Sequence, residues 1–353
     1  MKIAITADNH LTTQARNPER FQTLVDIYKQ CDDLNVKLLI IAGDLFDQSM
    51  PNYAEFESIY KKYRSPDLTT AVIPGNHDQD IRSESFSLEG LIVHNQPALL
   101  PLNNSWRILF APYQDGQSMG SVIAPFTEEL KGQRWILIGH GDWTPGVQLP
   151  DAYEPGVYMP LTRSDLTLYK PELVFLGHIH SAFNGTKVHY PGSPCPINRS
   201  EVGLRRFLLL DLKQGKISSQ ILDSPLLHFN ESFVMVSREN ELDLLNEQMQ
   251  IQIKTWNLPK GWEKRAHIRI KVSGIASDRS SVKEVIHQAF PSDLYAFVGE
   301  PDLNDLYHLP DPDREQIALK IQDWLNDLDW IETSTLPGKS EILQEALKII
   351  YGV

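Results

Sequence analysis

Residues 37–47 read KLLIIAGDLFD, an apolar run that ends in glycine and aspartate. Five consecutive apolar residues, Leu38–Ala42, are typical of a strand that is buried on both faces of a sheet. Gly43 then permits a sharp turn, and Asp44 follows at the strand end, which is a stiff place from which to aim a side chain. We therefore interpret this stretch as a central strand with a functional carboxylate at its carboxyl end.

The same arrangement recurs four times in the first half of the chain. In each case an apolar run leads directly into side chains that can bind metals. The pairs are Lys2–Ala7 before Asp8-Asn9-His10, Thr70–Pro74 before Gly75-Asn76-His77-Asp78, Trp135–Ile138 before Gly139-His140, and Leu173–Leu176 before Gly177-His178-Ile179-His180. Asn17 and Pro18 begin a predicted helix between the first two strands. Alternating strands and helices predict a layered α/β domain with its site at the strand carboxyl ends.

Taken singly, each motif has an ordinary structural explanation. Asp8 or Asp44 alone is more often a helix cap or turn residue, and a lone His140 is more often a buried, hydrogen-bonded histidine. The coincidence of five motifs at strand ends favours one shared site instead. Oxygen ligands mixed with imidazoles suit manganese, iron or zinc, and one carboxylate can bridge two cations that act together on a phosphate. The motifs contain no cysteine, which argues against a structural zinc site.

The ordered set resembles the signature of the calcineurin-like metallophosphoesterases, D-x-H, G-D, G-N-H-D/E, G-H and G-H-x-H. Within that family it is most similar to the SbcD-like nuclease subunits, because Gly43–Asp47 (GDLFD) and Tyr190–Pro194 (YPGSP) match two further segments. The likeness is detailed over residues 1–212 and only architectural beyond them. It implies a layered β-sandwich flanked by helices, a smaller α+β capping domain and a C-terminal helical tail.

The resemblance also implies a role for each motif residue. Two divalent cations would be bound, preferably Mn²⁺, with Mg²⁺, Fe²⁺ or Zn²⁺ as alternatives. Asp8, His10 and His180 would hold the first, Asn76, His140 and His178 the second, and Asp44 would bridge them. His77 would face the substrate phosphate as a catalytic residue. Asp78 would either orient His77 or only close the turn.

Three segments depart from the family pattern. Gly141-Asp142-Trp143 is more typical of general phosphoesterases, and Asp142 is a candidate for a hydrogen bond to a ligand histidine. Leu11-Thr12-Thr13 stands where the family often has Leu-Gly, and Asp47 stands where some members carry a histidine. The Gly141-Asp142 departure, together with the acidic charge, keeps open a phosphodiesterase that acts on cyclic nucleotides or other small phosphoesters.

The acidic composition bears on the substrate. The formal net charge is −13, divided as −5 over residues 1–230 and −8 over residues 231–353. Because DNA binding relies on positive charge, we expect DNA affinity to depend on a partner. Arginines near the motifs are candidate phosphate contacts, although each is equally explained as a solvated surface charge. They are Arg16, Arg20 and Arg199, with Arg163, Arg205 and Arg206 as further candidates.

The sequence contains no apolar stretch of membrane-spanning length, so no membrane association is expected. Cys31 lies on the apolar stripe of a predicted helix and Cys195 lies in a proline-rich loop. A disulfide between them is not expected, and a cytoplasmic location is the simplest interpretation.

We divide the chain into a catalytic domain (1–228), a capping domain (229–303) and a helical tail (304–353). The capping segment predicts a β-α-β-α-β pattern, with a half-buried strand over His267–Val272. The tail predicts two amphipathic helices, which begin near Asp311 and Ser340. By resemblance they would bind the coiled coil of an SbcC-like ATPase; the alternative is that they pack on their own chain. The helix at Tyr53–Arg64 is a candidate for homodimer contacts.

The leading functional hypothesis is a metal-dependent DNA exonuclease and endonuclease subunit that acts in DNA repair and recombination with an ATPase partner. A binding subunit that only positions DNA on its partner is the alternative from a different class. The complete set of ligand positions, together with His77, argues against that alternative.

Overall fold

The computed structural model describes residues 1–48, 52–144, 156–309, 311–330 and 336–352. They form two compact units, Met1–Pro225 and Leu226–Val353. The two helices predicted as a separate tail belong to the second unit. No helix in the described part of the chain has the length and apolar character needed to cross a bilayer.

The first unit combines short strands with helices. Its strands, in chain order, are β1 Lys2–Thr6, β2 Leu38–Ala42, β3 Thr69–Ile73, β4 Leu91–Val93, β5 Ala98–Pro101, β6 Trp106–Ala111, β7 Arg134–His140, β8 Trp143–Thr144, β9 Leu161–Thr162, β10 Leu173–Gly177, β11 Phe183–Asn184, β12 Val188–Tyr190, β13 Arg206–Asp211 and β14 Lys216–Ile221. Its helices are α1 Pro18–Asp33, α2 Tyr53–Tyr63, α3 Met119–Ile123, α4 Thr127–Leu130 and α5 Arg163–Tyr169.

Two six-stranded sheets stack face to face in this unit. Their strand orders are β14-β13-β1-β2-β3-β4 and β11-β12-β10-β7-β6-β5. Strands β1 to β4 run parallel, as do β6, β7 and β10. Apolar side chains of both sheets, among them Ile40 and Ile138, form one inner core. The predicted layered α/β architecture is confirmed.

Helices cover the outer face of each sheet. Strand β2 is apolar throughout because its side chains point alternately to two buried faces. Leu39 and Ile41 pack towards α1 and α2, while Ile40 belongs to the inner core. On the other sheet, α3 and α5 cover the outer side. Pro18 begins α1 as predicted, whereas the Asn17 side chain makes no capping bond and instead accepts a hydrogen bond from the Thr12 hydroxyl. Each sheet is therefore buried on both faces.

Helix α2 turns its large apolar residues towards this core. Phe56, Ile59 and Tyr60 are all buried there. The residues through which the sequence suggested pairing with a second copy thus pack within their own chain.

The second unit contains a small parallel sheet and further helices. Its elements are β15 Leu227–Met235, α6 Glu241–Thr255, β16 Ala266–Ile275, α7 Arg279–Ala289, β17 Ala296–Phe297, β18 Leu306–Tyr307, α8 Pro312–Asp327 and α9 Lys339–Tyr351. Strand β16 buries Ile268, Ile270 and Val272 on one face, which is the alternation that the sequence predicted.

Helices α8 and α9 belong to the core of the second unit. Leu325, Leu343 and Leu347 pack with Val236, which follows β15, and with Ile275, which ends β16. One face of each helix therefore packs on its own chain, and binding of a coiled-coil partner stays a prediction.

Candidate metal centre

All five sequence motifs come together at one edge of the first unit. Because β1, β2, β3, β7 and β10 present their carboxyl ends on the same side, the side chains that follow them converge. Asp8 and His10 follow β1, Asp44 follows β2, Asn76 and His77 follow β3, His140 ends β7, and His178 and His180 follow β10. The structure therefore brings together every residue that the sequence proposed as a ligand.

The first cluster contains Asp8, His10 and His180, whose ligand atoms all lie within 4.8 Å of one another. The Nε2 atoms of His10 and His180 face each other at 3.2 Å. The Oδ2 atom of Asp8 is buried and has no hydrogen-bond partner among the described residues. A buried oxygen without a partner is costly, and a cation between these groups would satisfy it.

The second cluster surrounds the Asn76 amide oxygen. This Oδ1 atom lies 2.9 Å from His140 Nε2 and 3.3 Å from His178 Nδ1. The other ring nitrogen of His140 is 2.9 Å from the Ala42 carbonyl oxygen, which fixes the orientation of the ring. An oxygen and two imidazole nitrogens that point at one another are the donor set of a transition-metal site.

Asp44 lies between the two clusters. Its Oδ2 atom is 3.5 Å from His10 Nε2 and 3.3 Å from His140 Nε2, while Oδ1 accepts a hydrogen bond from the His77 backbone N–H. One oxygen is thus shared by both groups of ligands. This is the arrangement that a carboxylate bridging two cations requires.

The backbone at this site is strained. Asp8, His10, Asp44 and His178 all adopt positive φ angles, of 55°, 44°, 51° and 95°. Such angles are uncommon outside glycine, and they persist only where the surrounding structure imposes them. Their concentration at four proposed ligands supports a functional rather than a purely structural site.

Glycine is required where the motif loops touch. A Cβ on Gly43, which has φ +94°, would lie 2.0 Å from His140 Nδ1. A Cβ on Gly75 would lie 2.1 Å from Asp44 Oδ1. The glycines that precede Asp44 and Asn76 in the sequence therefore allow the ligands to approach one another.

The ligands have strongly shifted pKa values in the metal-free protein. Burial raises the pKa of Asp8 to about 6 and lowers the pKa of His10 to about 3. Burial opposes charge on Asp44 as well, but the neighbouring His140 and His10 hold the pKa of that carboxyl below its usual range. Although burial alone lowers the pKa of His140, the Asp44 carboxylate raises it to about 10. At neutral pH the negative charge of Asp44 is thus balanced by a proton on His140 in the metal-free protein.

His77 lies beside both clusters and is partly exposed. Its ring contacts the His10 ring edge to face, with centroids 4.8 Å apart. Asp78 is buried, and its carboxylate accepts hydrogen bonds from the backbone N–H groups of Gly75 and Phe46. Burial, followed by the charge of Asp44, raises the pKa of Asp78 to about 7. These bonds match the turn-closing alternative for Asp78, and its catalytic role stays a prediction.

Two arginines that were proposed as phosphate contacts are buried behind the ligands. Arg20 donates to the His10 carbonyl oxygen at 2.5 Å, and Arg205 donates to the His180 carbonyl oxygen at 3.1 Å. Both side chains therefore support the ligand loops from behind. Arg206 donates to the Ser219 hydroxyl and to the Asn184 amide oxygen. The remaining candidates, Arg16, Arg163 and Arg199, are exposed.

Asp142 and Glu201 approach ligand histidines from outside the clusters. Asp142 accepts a hydrogen bond from the Tyr158 backbone N–H at 2.7 Å, and it lies 3.9 Å from His178 Nε2, too far for a hydrogen bond. Glu201 lies 3.1 Å from His180 Nδ1. Sequence reasoning did not identify Glu201, because it is 21 residues from His180 and belongs to no motif.

Comparison with known proteins agrees with this geometry. The model of the family described as calcineurin-like phosphoesterase matches residues 1–182. No curated protein matches the chain. Among solved structures, the chain is similar to a novel archaeal phosphodiesterase, with 14% sequence identity and a TM-score of 0.34. The alignment covers 63% of this chain and 100% of the phosphodiesterase chain. The chain is also similar to a dimetal phosphatase from Danio rerio, with 10% identity, 63% and 96% covered, and a TM-score of 0.41.

Proposed function

The chain belongs to the calcineurin-like phosphoesterase family, and we propose that within this family it is a DNA nuclease subunit that hydrolyses phosphodiester bonds with two divalent cations. The family membership makes the chain a phosphoesterase. The choice of DNA as substrate and of manganese as preferred metal belongs to the proposal.

The shared oxygen of Asp44 is the observation that carries the two-cation assignment. Asp8, His10 and His180 would hold one cation and Asn76, His140 and His178 the other. When bound, such a pair supplies Lewis-acid polarisation of a phosphate and a nucleophilic water at neutral pH. The unpartnered Oδ2 of buried Asp8 and the mutually facing imidazole nitrogens fit this pair without rearrangement.

The proposal assigns the catalytic imidazole to His77. Its backbone N–H is fixed by Asp44 Oδ1, and its ring remains partly exposed next to His10. An imidazole at this position can stabilise charge on the phosphate or protonate the leaving oxygen. Since Asp44 holds both the ligand cluster and the His77 backbone, the catalytic imidazole and the cation positions share one rigid support.

The DNA assignment rests on the GDLFD and YPGSP segments and on the second unit that follows the catalytic one. The formal charge of −13 provides no electrostatic attraction for DNA. We therefore include an SbcC-like coiled-coil ATPase in the proposal as the partner that supplies DNA affinity. Ile317 and Trp324 of α8 stay 50% and 62% exposed and are candidate contacts for it.

A small phosphodiester is the second candidate substrate. A cavity of about 400 Å³ beside His77 is lined by Asp47, Asp78 and Asp80 together with Tyr53. The lining of this cavity has three carboxyl groups and, among the described residues, no lysine or arginine, so it offers no electrostatic attraction to a run of phosphates. A phosphodiester with a single negative charge depends less on such attraction. This observation favours a cyclic nucleotide or similar compound over a long polyanion.

One assay separates these candidates. We would compare linear, hairpin and plasmid DNA with bis-p-nitrophenyl phosphate, in Mn²⁺, with and without a co-expressed coiled-coil ATPase. The His77→Ala variant should lose about 10²- to 10⁴-fold in turnover on the true substrate while still binding Mn²⁺. Cleavage of the small ester alone, even with the ATPase present, would refute the DNA assignment and leave the phosphoesterase assignment standing.

A further inference from the structure

Glu201 is a buried carboxylate that lies outside the ligand clusters but contacts one of them. Its side chain is 5% exposed. One oxygen, Oε1, lies 3.1 Å from His180 Nδ1 and accepts from the Asn198 amide at 2.9 Å. The other, Oε2, accepts from the Ser193 hydroxyl at 2.5 Å and from the Ile197 backbone N–H at 3.1 Å. A carboxylate with this many donors is held in one orientation.

The contact with Glu201 determines what the two nitrogens of His180 can do. A carboxylate only accepts hydrogen bonds, so Nδ1 of His180 must carry the proton. The ring is then oriented with Nε2 towards His10 Nε2, 3.2 Å away. A ligand imidazole commonly donates its second N–H to a carboxylate, which fixes both its tautomer and its ring orientation.

The loop that carries Glu201 is attached to the His180 backbone as well. Arg205 is buried and donates from Nη2 to the His180 carbonyl oxygen and from Nε to the Ser193 carbonyl oxygen, both at 3.1 Å. The Ser193 backbone N–H also donates to the His180 carbonyl oxygen at 3.1 Å. The YPGSP segment, which includes Ser193, thus forms one rigid piece with the His180 strand end.

We propose that Glu201 is a positioning residue for the first cation site, where it orients His180 so that Nε2 is presented to the ion. This inference rests on the two-cation site of the proposed function, but it is independent of the substrate. It also gives the YPGSP loop a role, since that loop places the carboxylate.

The test is Mn²⁺ titration of the full-length metal-free protein, with free Mn²⁺ counted by electron paramagnetic resonance. In Glu201→Gln, one oxygen becomes an amide donor. In one orientation this donor faces the Ile197 N–H, and in the other it faces both the His180 Nδ1–H and the Asn198 amide N–H, so at least one existing hydrogen bond is lost in either case. The negative charge that orients the Nδ1–H and makes Nε2 a stronger ligand is lost in both orientations. We expect two Mn²⁺ sites in the wild type, and in the variant one site weakened about 10- to 100-fold with the other unchanged.

Two controls separate positioning from general stability. Glu241→Gln alters a buried glutamate of the second unit that accepts the backbone N–H groups of Arg238 and Ser277. Glu241→Gln should therefore bind Mn²⁺ as the wild type does. Ser193→Ala removes one donor to Glu201 but leaves the His180 contact in place, so it should weaken the same site by less than Glu201→Gln does. If Glu201→Gln keeps both affinities, or if Glu241→Gln weakens one site as much, the proposal is wrong.

A measurement on the wild type covers the case in which Glu201→Gln fails to fold. Nitrogen-15 spectra of the histidine rings in the Zn²⁺-loaded protein should show His180 protonated at Nδ1 and metal-bound at Nε2. A proton on Nε2 would overturn the proposal. Failure of the wild type to bind any pair of ions would instead overturn the two-cation function itself, which the titration detects separately.

Discussion

Gly75→Ala is the sharpest test of how closely the ligand loops must approach. An added Cβ would lie 2.1 Å from Asp44 Oδ1 and 2.6 Å from the Asp44 backbone nitrogen. The first distance is about 1.3 Å short of the 3.4 Å at which ordinary contact begins. Because the second contact is with backbone, a side-chain rotation cannot relieve it. Asp44 must therefore move by about 1 Å, and a displacement of that size can reduce turnover about 100-fold.

The measurement combines Mn²⁺ stoichiometry with hydrolysis of bis-p-nitrophenyl phosphate. Loss of stability should be moderate, about 1–3 kcal/mol, which is typical of overpacking. Gly215→Ala is the matched control, because this glycine has φ +64° in the turn between β13 and β14 and its added Cβ meets nothing within 4 Å. The control should lose about 1–2 kcal/mol from backbone strain alone and keep full turnover. Wild-type kcat in Gly75→Ala would refute the argument.

Three further predictions follow from the same geometry and burial. Asp44→Ala should remove both Mn²⁺ sites, because Oδ2 of Asp44 lies close to ligands of both. Turnover should fall by more than about 100-fold, which is the upper end of the loss caused by removing a residue that only hydrogen-bonds to a ligand. A Mn²⁺ titration that still finds one intact site would contradict the sharing of Oδ2. Burial lowers the pKa of His189 in the folded protein. Below about pH 6.5 the unfolded chain therefore binds a proton at this residue that the folded chain does not bind, and the free energy of unfolding should fall as the pH is lowered from 7 to 5. Denaturant melts of His189→Leu should show a smaller fall, and an unchanged slope would be evidence against this assignment. Burial raises the pKa of the Cys31 and Cys195 thiols to about 12. A thiol reagent at pH 8 should therefore label neither cysteine in the folded protein and both in denaturant. Rapid labelling of the folded protein would contradict this prediction.

The sequence was sufficient to predict the strand ends and the convergence of the motif side chains, because their causes are local. A strand such as Leu38–Ala42 is apolar throughout since both its faces are covered, and the polar residue that follows it stands out. Side chains after parallel strands must share an edge, so Asp44 and His140 were expected to meet before any distance was known. The apolar pattern of the strands and the geometry of the parallel sheet thus predict the same site.

The supporting residues could not be predicted in the same way, because their roles depend on contacts through space. Arg20 and Arg205 look like surface charges in the sequence, yet both are buried against ligand carbonyl oxygens. Glu201 follows a loop without periodicity, and nothing in its neighbourhood indicates which histidine it meets. Such contacts depend on how the loops fold over the strand ends, and hydrophobic periodicity in the sequence does not predict the conformation of loops.

The α8 helix shows how one pattern supports two interpretations. Its apolar residues include Ile317, Trp324 and Leu325, but a helix that packs through one narrow face cannot bury all three. Leu325 is buried together with Ala318, while Ile317 and Trp324 lie seven residues apart on a face that remains exposed. The apolar residues of α8 therefore form one face for its own core and a second that leaves room for the proposed partner.

Two features of the metal centre oppose folding of the metal-free chain. Four ligands occupy strained backbone conformations, and the Asp8 carboxylate buries an oxygen that has no hydrogen-bond partner among the described residues. A pair of cations would satisfy the buried oxygen, but it would not relieve the backbone angles. The surrounding sheets must therefore hold the strained loops in place before any ion binds, and the stiffness of the double β-layer is what makes that possible.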